Sequence, residues 1–209
     1  MRTRNILIID DHPLVIRGIV ETIRNSGFFE ICGTLSSISE PVSVIQELDP
    51  DIIILDINFS DNYSGISYLK SIKQEMPWVK VLILTVFESP MLLKQTFNLG
   101  ASGFLTKLDN AEMIIQALKN IDEGKTFISP RVEALYENFN EIPLLSKREE
   151  QVLKMITKGV TTKDIAKALE LSPKTIETYK SRIAEKLNAH TISAMIRAAS
   201  EFGLALDDQ

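Results

Sequence analysis

The chain has 209 residues, 44% hydrophobic and 24% charged, ordinary values for a globular protein with room for one large or two small domains. Its apolar runs reach only four or five residues, too short for a membrane span or a signal peptide, and a lone cysteine, Cys32, excludes an internal disulfide and fits a reducing cytoplasm. The net charge of −5 is uneven: residues 1–125 hold 11 Lys and Arg against 16 Asp and Glu, residues 144–209 hold 11 against 9, and a mildly basic tail permits nucleic-acid binding without proving it.

Short apolar runs alternate with longer helical patterns over residues 1–125. Strands are predicted at Asn5–Asp10, Glu30–Thr34, Asp51–Ile57, Lys80–Thr85 and Gly103–Thr106. Helices are predicted at about Leu14–Asn25, Pro41–Leu48, Ser67–Glu75, Pro90–Leu99 and Ala111–Glu123. Five βα units in succession imply a parallel sheet covered by helices on both faces. Gly27, Gly100, Gly103 and Gly124 fall between elements, where caps and turns want them. Cys32, in the run FFEICG, reads as a buried structural thiol.

The strand ends carry the chemistry. The run DIIILDIN, residues 51–58, ends its apolar stretch on Asp56, and NILIIDD, residues 5–11, ends on Asp10 and Asp11. Open α/β sheets place their sites outside the carboxyl ends of the strands. If these two strands are neighbours, three carboxylates share one pocket, and a bound cation relieves their repulsion. Oxygen ligands favour magnesium or calcium. Thr85 closes the fourth strand and Lys107 the fifth. A hydroxyl and an ammonium facing an acid cluster are what a phosphorylated aspartate needs: a carboxylate to attack, a cation to neutralise oxygens, and Lys and Thr to hold the product.

On these residues the first 125 positions resemble the receiver domain of two-component response regulators. The resemblance implies a (βα)5 flavodoxin-like fold with parallel strand order 2-1-3-4-5. It implies Asp56 as phospho-acceptor, Mg²⁺ held by Asp10, Asp11, Asp56 and the backbone carbonyl of Asn58, and Thr85 and Lys107 on the phosphoryl group. Phe104, three residues before the lysine, matches the aromatic that changes rotamer in that family's switch. Two departures stand out. Phe59-Ser60 replaces the usual Met-Pro pair, and Gly65 lies nine rather than eight residues after the acceptor, so the loop is one residue longer and lacks a stiffening Pro. Asp61 in that loop is placed to add charge near the metal. Leu108 follows the lysine where the family often has Pro, which makes a cis peptide improbable.

Residues 126–143 read as a linker: Ser129-Pro130 opens a short helical segment, RVEALYENF, and Asn140–Pro143 breaks it. From residue 144 the pattern is helical only. Ser146 to Glu149 is a capping box, Gly159 ends that helix, Thr161 and Asp164 repeat the capping spacing, and Ser172-Pro173 starts a helix to Leu187. A last helix is predicted at about Thr191–Phe202, ending at Gly203. On the helix from Pro173, Ile176, Tyr179, Ile183 and Leu187 share one face. Lys174, Glu177, Thr178, Ser181 and Glu185 lie opposite, with Lys180, Arg182 and Lys186 along the flanks. Small polar groups edged by cations suit a major groove: the cations hold phosphates, Glu177 accepts from cytosine N4, and the Thr178 methyl meets thymine.

Nearly all of residues 144–206 are similar to the LuxR-type helix-turn-helix domain, four helices, so the whole chain resembles a response regulator of the NarL/FixJ type. The resemblance implies Lys174, Glu177, Thr178, Lys180, Ser181 and Arg182 as contacts to double-stranded DNA. It makes the final helix, with Ile192, Met195, Ile196 and Ala199, a dimer contact in the active homodimer. The expected protein is a cytoplasmic transcription regulator with no membrane partner, taking phosphoryl from a sensor histidine kinase or small phosphodonor. An alternative is a DNA-binding regulator independent of phosphorylation, its switch disabled by the altered loop. An aspartate hydrolase of the haloacid dehalogenase type needs a second Asp two residues past the nucleophile, where this chain has Asn58, so no enzyme is expected. His12 reads as structural, His190 as a phosphate contact or nothing, and neither has metal-ligand spacing.

Overall fold

A computed structural model describes residues 3–59, 65–88, 90–135, 145–187 and 189–201. The chain divides into two compact units, Met1–Phe139 and Asn140–Gln209. In the first, strands and helices alternate: β1 Arg4–Ile9, α1 Pro13–Ser26, β2 Phe29–Leu35, α2 Val42–Glu47, β3 Ile52–Leu55, α3 Gly65–Glu75, β4 Lys80–Thr85, α4 Pro90–Asn98, β5 Gly103–Thr106 and α5 Ala111–Asp122. Two further elements follow, β6 Phe127–Ile128 and α6 Pro130–Leu135.

The strands form one parallel sheet in the order β2-β1-β3-β4-β5-β6. The five-stranded order 2-1-3-4-5 is borne out, with a sixth strand added at the β5 edge. Sequence reading put these residues in the linker because two residues carry no period. The added strand exists because Phe127 and Ile128 pair with Gly103 and Phe104, and because Phe127 is buried. Gly103 is also less a turn residue than expected. It begins β5, and a Cβ there would lie 2.8 Å from Ile121 and 2.9 Å from Leu82, both side-chain methyls. Cys32 on β2 is half-buried rather than buried.

Alternation along the strands sorts the core. Ile6, Ile8, Ile52, Ile54, Leu82 and Leu84 turn to the face covered by α1 and α5, where Ile19, Ile23, Leu118 and Ile121 meet them. The intervening Leu7, Ile9, Ile53, Leu55, Val81 and Ile83 are equally buried on the other face. A strand buried on both faces needs no polar alternation, which is why DIIIL reads as an unbroken run.

In the second unit the helices are α7 Lys147–Thr157, α8 Thr162–Ala168, α9 Pro173–Leu187 and α10 Ile192–Glu201. The expected caps are present. Ser146 and Glu149 form a reciprocal capping box. Thr161 accepts from the Asp164 amide, and Ser172 Oγ accepts from the Thr175 amide at 3.1 Å. Ile176 and Ile183 of α9 are buried as expected, joined by Ala184, while Tyr179 and Leu187 are half-buried. On α10, Met195 and Ala199 are buried within the unit, while Ile192 and Ile196 are exposed. The expected end at Gly203, and the stretch YENFNEIP of the linker, lie outside the described residues.

Candidate functional site

Register brings the acids together. Ile9 faces Leu55 across the β1–β3 ladder, so the next residues, Asp10 and Asp56, leave the sheet side by side, and the Asp56 amide donates to Ile9 O at 2.9 Å. Ligand atoms of Asp10, Asp11, His12 and Asp56 all lie within 4.8 Å of one another. On the far side Thr85 pairs with Thr106, and the Lys107 amide donates to Thr85 O at 2.7 Å. Lys107 then reaches back across the rim: its Nζ donates to Asp56 Oδ2 at 2.6 Å and sits 2.7 Å from Asp10 Oδ2. Thr85 is fully buried at the end of β4, its hydroxyl accepting from the Phe87 amide at 3.3 Å. Asn58, two residues past Asp56, donates its amide to Asp56 Oδ1 at 2.9 Å. Phe104 is fully buried on β5, beside Ile83 of β4.

One glycine is demanded by this arrangement. A Cβ on Gly65, at the start of α3, would stand 2.4 Å from Ile57 Cα and 2.9 Å from the carbonyl oxygen of Asp56. Helix α3 therefore begins against the backbone of the acceptor turn, closer than any side chain allows. The longer loop that precedes it, with Asp61, lies outside the described residues, apart from Phe59, which is buried.

The electrostatics follow from burial. Asp10 and Asp56 are each 1% exposed, and three carboxylates face one ammonium. Burial pushes the Asp56 carboxyl above its ordinary pKa; hydrogen bonds from Lys107 and the Asn58 amide pull it back only in part, and negative Asp10 adds to the rise. Burial works against the charged form of Lys107, but its close pairing with the Asp10 and Asp56 carboxylates outweighs that and raises its pKa. Lys107 meets Asp10 Oδ2 at an ion-pair distance without a well-directed hydrogen bond, so a buried carboxylate oxygen keeps lone-pair capacity. Clustered hard oxygens with excess negative charge fit a small divalent cation such as Mg²⁺.

The opposite rim of the sheet shows what an acid cluster with only a structural job looks like. There Arg4 bridges Asp51 at 3.0 Å and Asp122 at 2.7 Å, and Lys80 donates to the Asp122 carbonyl at 2.8 Å. Cations and carboxylates are matched there. At the carboxyl rim they are not.

Two residues escaped sequence reading. His12 was taken as structural, without metal-ligand spacing. Its Nδ1 in fact lies 2.8 Å from Asp11 Oδ1, 3.0 Å from Asp10 Oδ1 and 3.9 Å from Asp56 Oδ2, which puts it in the cluster. Spacing could not show this, because two of its neighbours are adjacent in sequence and the third is on another strand. Asp109 is the other: its Oδ2 accepts from the Thr106 amide at 2.8 Å and the Thr106 hydroxyl at 3.1 Å, closing the turn that aims Lys107. The only signal was the capping-box-like spacing of Thr106 and Asp109 in TKLD.

In the second unit the exposed face of α9 carries Lys174, Glu177, Thr178, Ser181 and Arg182. The Thr178 hydroxyl donates to the Lys174 carbonyl at 3.1 Å, which occupies its polar end within the helix. The flanking cations are not all available. Lys186 Nζ lies 2.7 Å from Oε2 of Glu149, a carboxylate 4% exposed, so it also serves the fold. Burial opposes the charge on Glu149, but Lys186 and the Ser146 amide and hydroxyl outweigh it and hold its pKa below the usual range. Lys180 is partly covered and bonded to Glu177 at 3.0 Å. Glu185 and His190 are exposed.

Comparison with known proteins covers both units. The response regulator receiver domain matches residues 6–119, and the luxR family of bacterial regulatory proteins matches residues 143–199. The nitrate/nitrite response regulator protein homolog of Haemophilus influenzae is 33% identical over 190 residues, covering 89% of this chain and 91% of its own. The oxygen regulatory protein NreC of Staphylococcus carnosus is 29% identical over 207 residues, covering 93% and 95%. Among solved structures, RcsB of Salmonella enterica serovar Typhimurium, bound to a promoter in the presence of the phosphomimetic BeF3-, superposes with a TM-score of 0.77 at 28% identity, covering 95% and 98%.

Proposed function

Because the chain belongs to the response regulators, a receiver domain followed by a LuxR-type DNA-binding domain, we propose that it is a transcription regulator of a two-component system switched by phosphorylation of Asp56. The residues proposed for the switch are Asp10, Asp11, Asn58, Thr85, Phe104 and Lys107 beside the acceptor. The observation that carries the reading is the Asp10–Asp56–Lys107 contact at the carboxyl rim, where acids outnumber cations.

In this mechanism a carboxylate oxygen of Asp56 attacks the phosphorus of a phosphohistidine on a sensor kinase, or of a small phosphodonor. A P–O bond forms, the bond from phosphorus to the donor breaks, and the donor leaves with the electron pair. Asp10, Asp11, Asp56 and the Asn58 carbonyl would hold Mg²⁺, which would supply charge neutralisation on the transferring oxygens. Burial, which raises the Asp56 pKa, also keeps the carboxylate poorly solvated and so ready to react. Lys107 moves its hydrogen bond from Asp56 to the new phosphoryl oxygens, and Thr85, whose hydroxyl only accepts from the Phe87 amide at rest, turns its O–H to donate to them. Repositioning the end of β4 frees space for Phe104 to change rotamer, giving a two-state element that phosphorylation biases.

The second unit binds double-stranded DNA as a homodimer in the cytoplasm, with Lys174, Glu177, Thr178, Lys180, Ser181 and Arg182 toward the groove and backbone. The RcsB–promoter complexes among the structural neighbours support this. Ile192 and Ile196, exposed one turn apart on α10, are the residues left to face a partner protomer. The test is intact-mass and affinity measurement with beryllofluoride and Mg²⁺. The wild type gains the adduct and binds DNA more tightly, and Asp56→Ala does neither. Equal adduct on both proteins would remove Asp56 as acceptor; DNA affinity indifferent to the adduct would favour the phosphorylation-independent regulator.

A further inference from the structure

Among the cations of the exposed α9 face sits one acid that the structure holds in place. Glu177 Oε1 accepts from the Thr162 hydroxyl at 2.9 Å and from Lys180 Nζ at 3.0 Å. Lys180 Nζ in turn lies 3.4 Å from the Thr162 hydroxyl, closing a three-membered ring of polar groups between the first turn of α8 and the middle of α9. Both internal bonds fall on the same oxygen. Among the described residues nothing bonds Oε2, and the side chain remains 57% exposed. A glutamate on a helix surface ordinarily samples several rotamers, and fixing it on binding costs affinity. Here two bonds to Oε1 restrict those rotamers before any ligand arrives.

The chemistry of the presented atom is narrow. A carboxylate only accepts hydrogen bonds. Its lowered pKa, caused first by the Lys180 bond and then by Thr162, keeps it ionised at neutral pH. In the major groove the exposed donors are the amino groups of cytosine and adenine. The adenine donor stands beside the N7 acceptor, which repels a carboxylate, whereas cytosine offers its N4 donor with no neighbouring acceptor on the same base. The adjacent Lys180 charge offsets the repulsion between Glu177 and the phosphate backbone.

We propose that Glu177 is the specificity-determining residue of this protein, its Oε2 reading the N4 amino group of one cytosine in the major groove, with Lys180 and Thr162 as positioning residues. The proposal rests on the reading of α9 as the DNA-facing helix.

The test is binding-site selection from random duplex DNA with the full chain and beryllofluoride, comparing wild type, Glu177→Gln, Glu177→Ala and Lys180→Met, each checked for an unchanged melting transition. Wild type enriches a site with one invariant C·G pair per half-site, and exchanging that pair weakens binding about tenfold or more. Glu177→Gln moves the preference at that position toward A·T, since an amide pairs with adenine N6 and N7. Glu177→Ala levels it to within about twofold and leaves the other positions unchanged. Lys180→Met keeps the cytosine but narrows its margin, an effect on selectivity that a merely structural lysine would not give. A site enriched by wild type and retained unaltered by Glu177→Ala overturns the proposal while leaving DNA binding intact. No enrichment by wild type overturns both.

Discussion

Lys186 and Lys107 are both lysines paired with buried acids, and their surroundings give them different work. Lys186 meets the Glu149 carboxylate, which also accepts from the Ser146 amide in a capping box. Cation and capping amide converge on the same oxygen, Oε2, so the pair ties the end of α9 to the start of α7. Lys186→Met leaves a nearly buried charge without its ammonium and is expected to cost the second unit about 1–3 kcal/mol, between the values for an exposed pair and for a broken buried one, because the lysine is partly exposed. The sign with pH follows from the depressed Glu149 pKa. The stabilisation is present above the unfolded carboxyl value and is lost as pH falls through the lower folded value. Urea unfolding between neutral pH and pH 3 should show wild type converging on Lys186→Met in acid. A gap that persists at pH 3 would mean the lysine stabilises by packing alone. Lys107, by contrast, faces more carboxylate than it can neutralise. Mg²⁺ should therefore raise the melting temperature of the metal-free protein, by about 1.4 kcal/mol of added stability at ten times the dissociation constant. Asp10→Ala and Asp56→Ala should lose that shift, and a full response from both would place the cation elsewhere.

At the scale of elements, positions that matter are set by how closely backbones approach. Helix α3 starts where a Cβ would overlap the residue after Asp56. Gly65→Ala must push the helix or the acceptor turn aside, at an expected cost of about 2–4 kcal/mol, and adduct formation at Asp56 should fall with it. Thermal melts and beryllofluoride mass shifts on the same sample would check both; an alanine variant with wild-type values for each would show that the turn has slack. The glycine was visible in sequence only as a shift of one residue from the family's spacing. Its reason was not visible, because the partner atoms belong to the preceding strand end. Strand β6 was missed for a related cause. Two residues cannot display a period, and only the free edge of β5 makes a strand of them. Caps, by contrast, were legible in full at Ser146, Thr161 and Ser172, since donor and acceptor lie within three residues.

For the whole molecule, a chain of net charge −5 that binds DNA must do so with local charge. Residues 144–209 hold only two more cations than acids, and Lys186 and Lys180 are engaged within the unit. Few phosphates can then be neutralised by each protomer. DNA affinity should fall with salt at a slope nearer −2 to −4 per protomer than the steep values of strongly basic binders, measured by fluorescence anisotropy between 50 and 200 mM salt. A slope near −8 per protomer would mean that cations outside this face make contact.

By itself the sequence determined the alternation of five strands with five helices, the buried character of the central strands, the caps of the second unit, and the residues standing at the strand ends. All of these are local: a period, a cap or an acid after an apolar run is complete within a few positions. Only the tertiary structure decided which strand ends share a pocket, that His12 joins the acids, that Asp109 aims Lys107, and which cations on α9 are already taken. Those contacts join residues up to 97 apart, and a register or a helix crossing, not a nearby pattern, sets the distance between them.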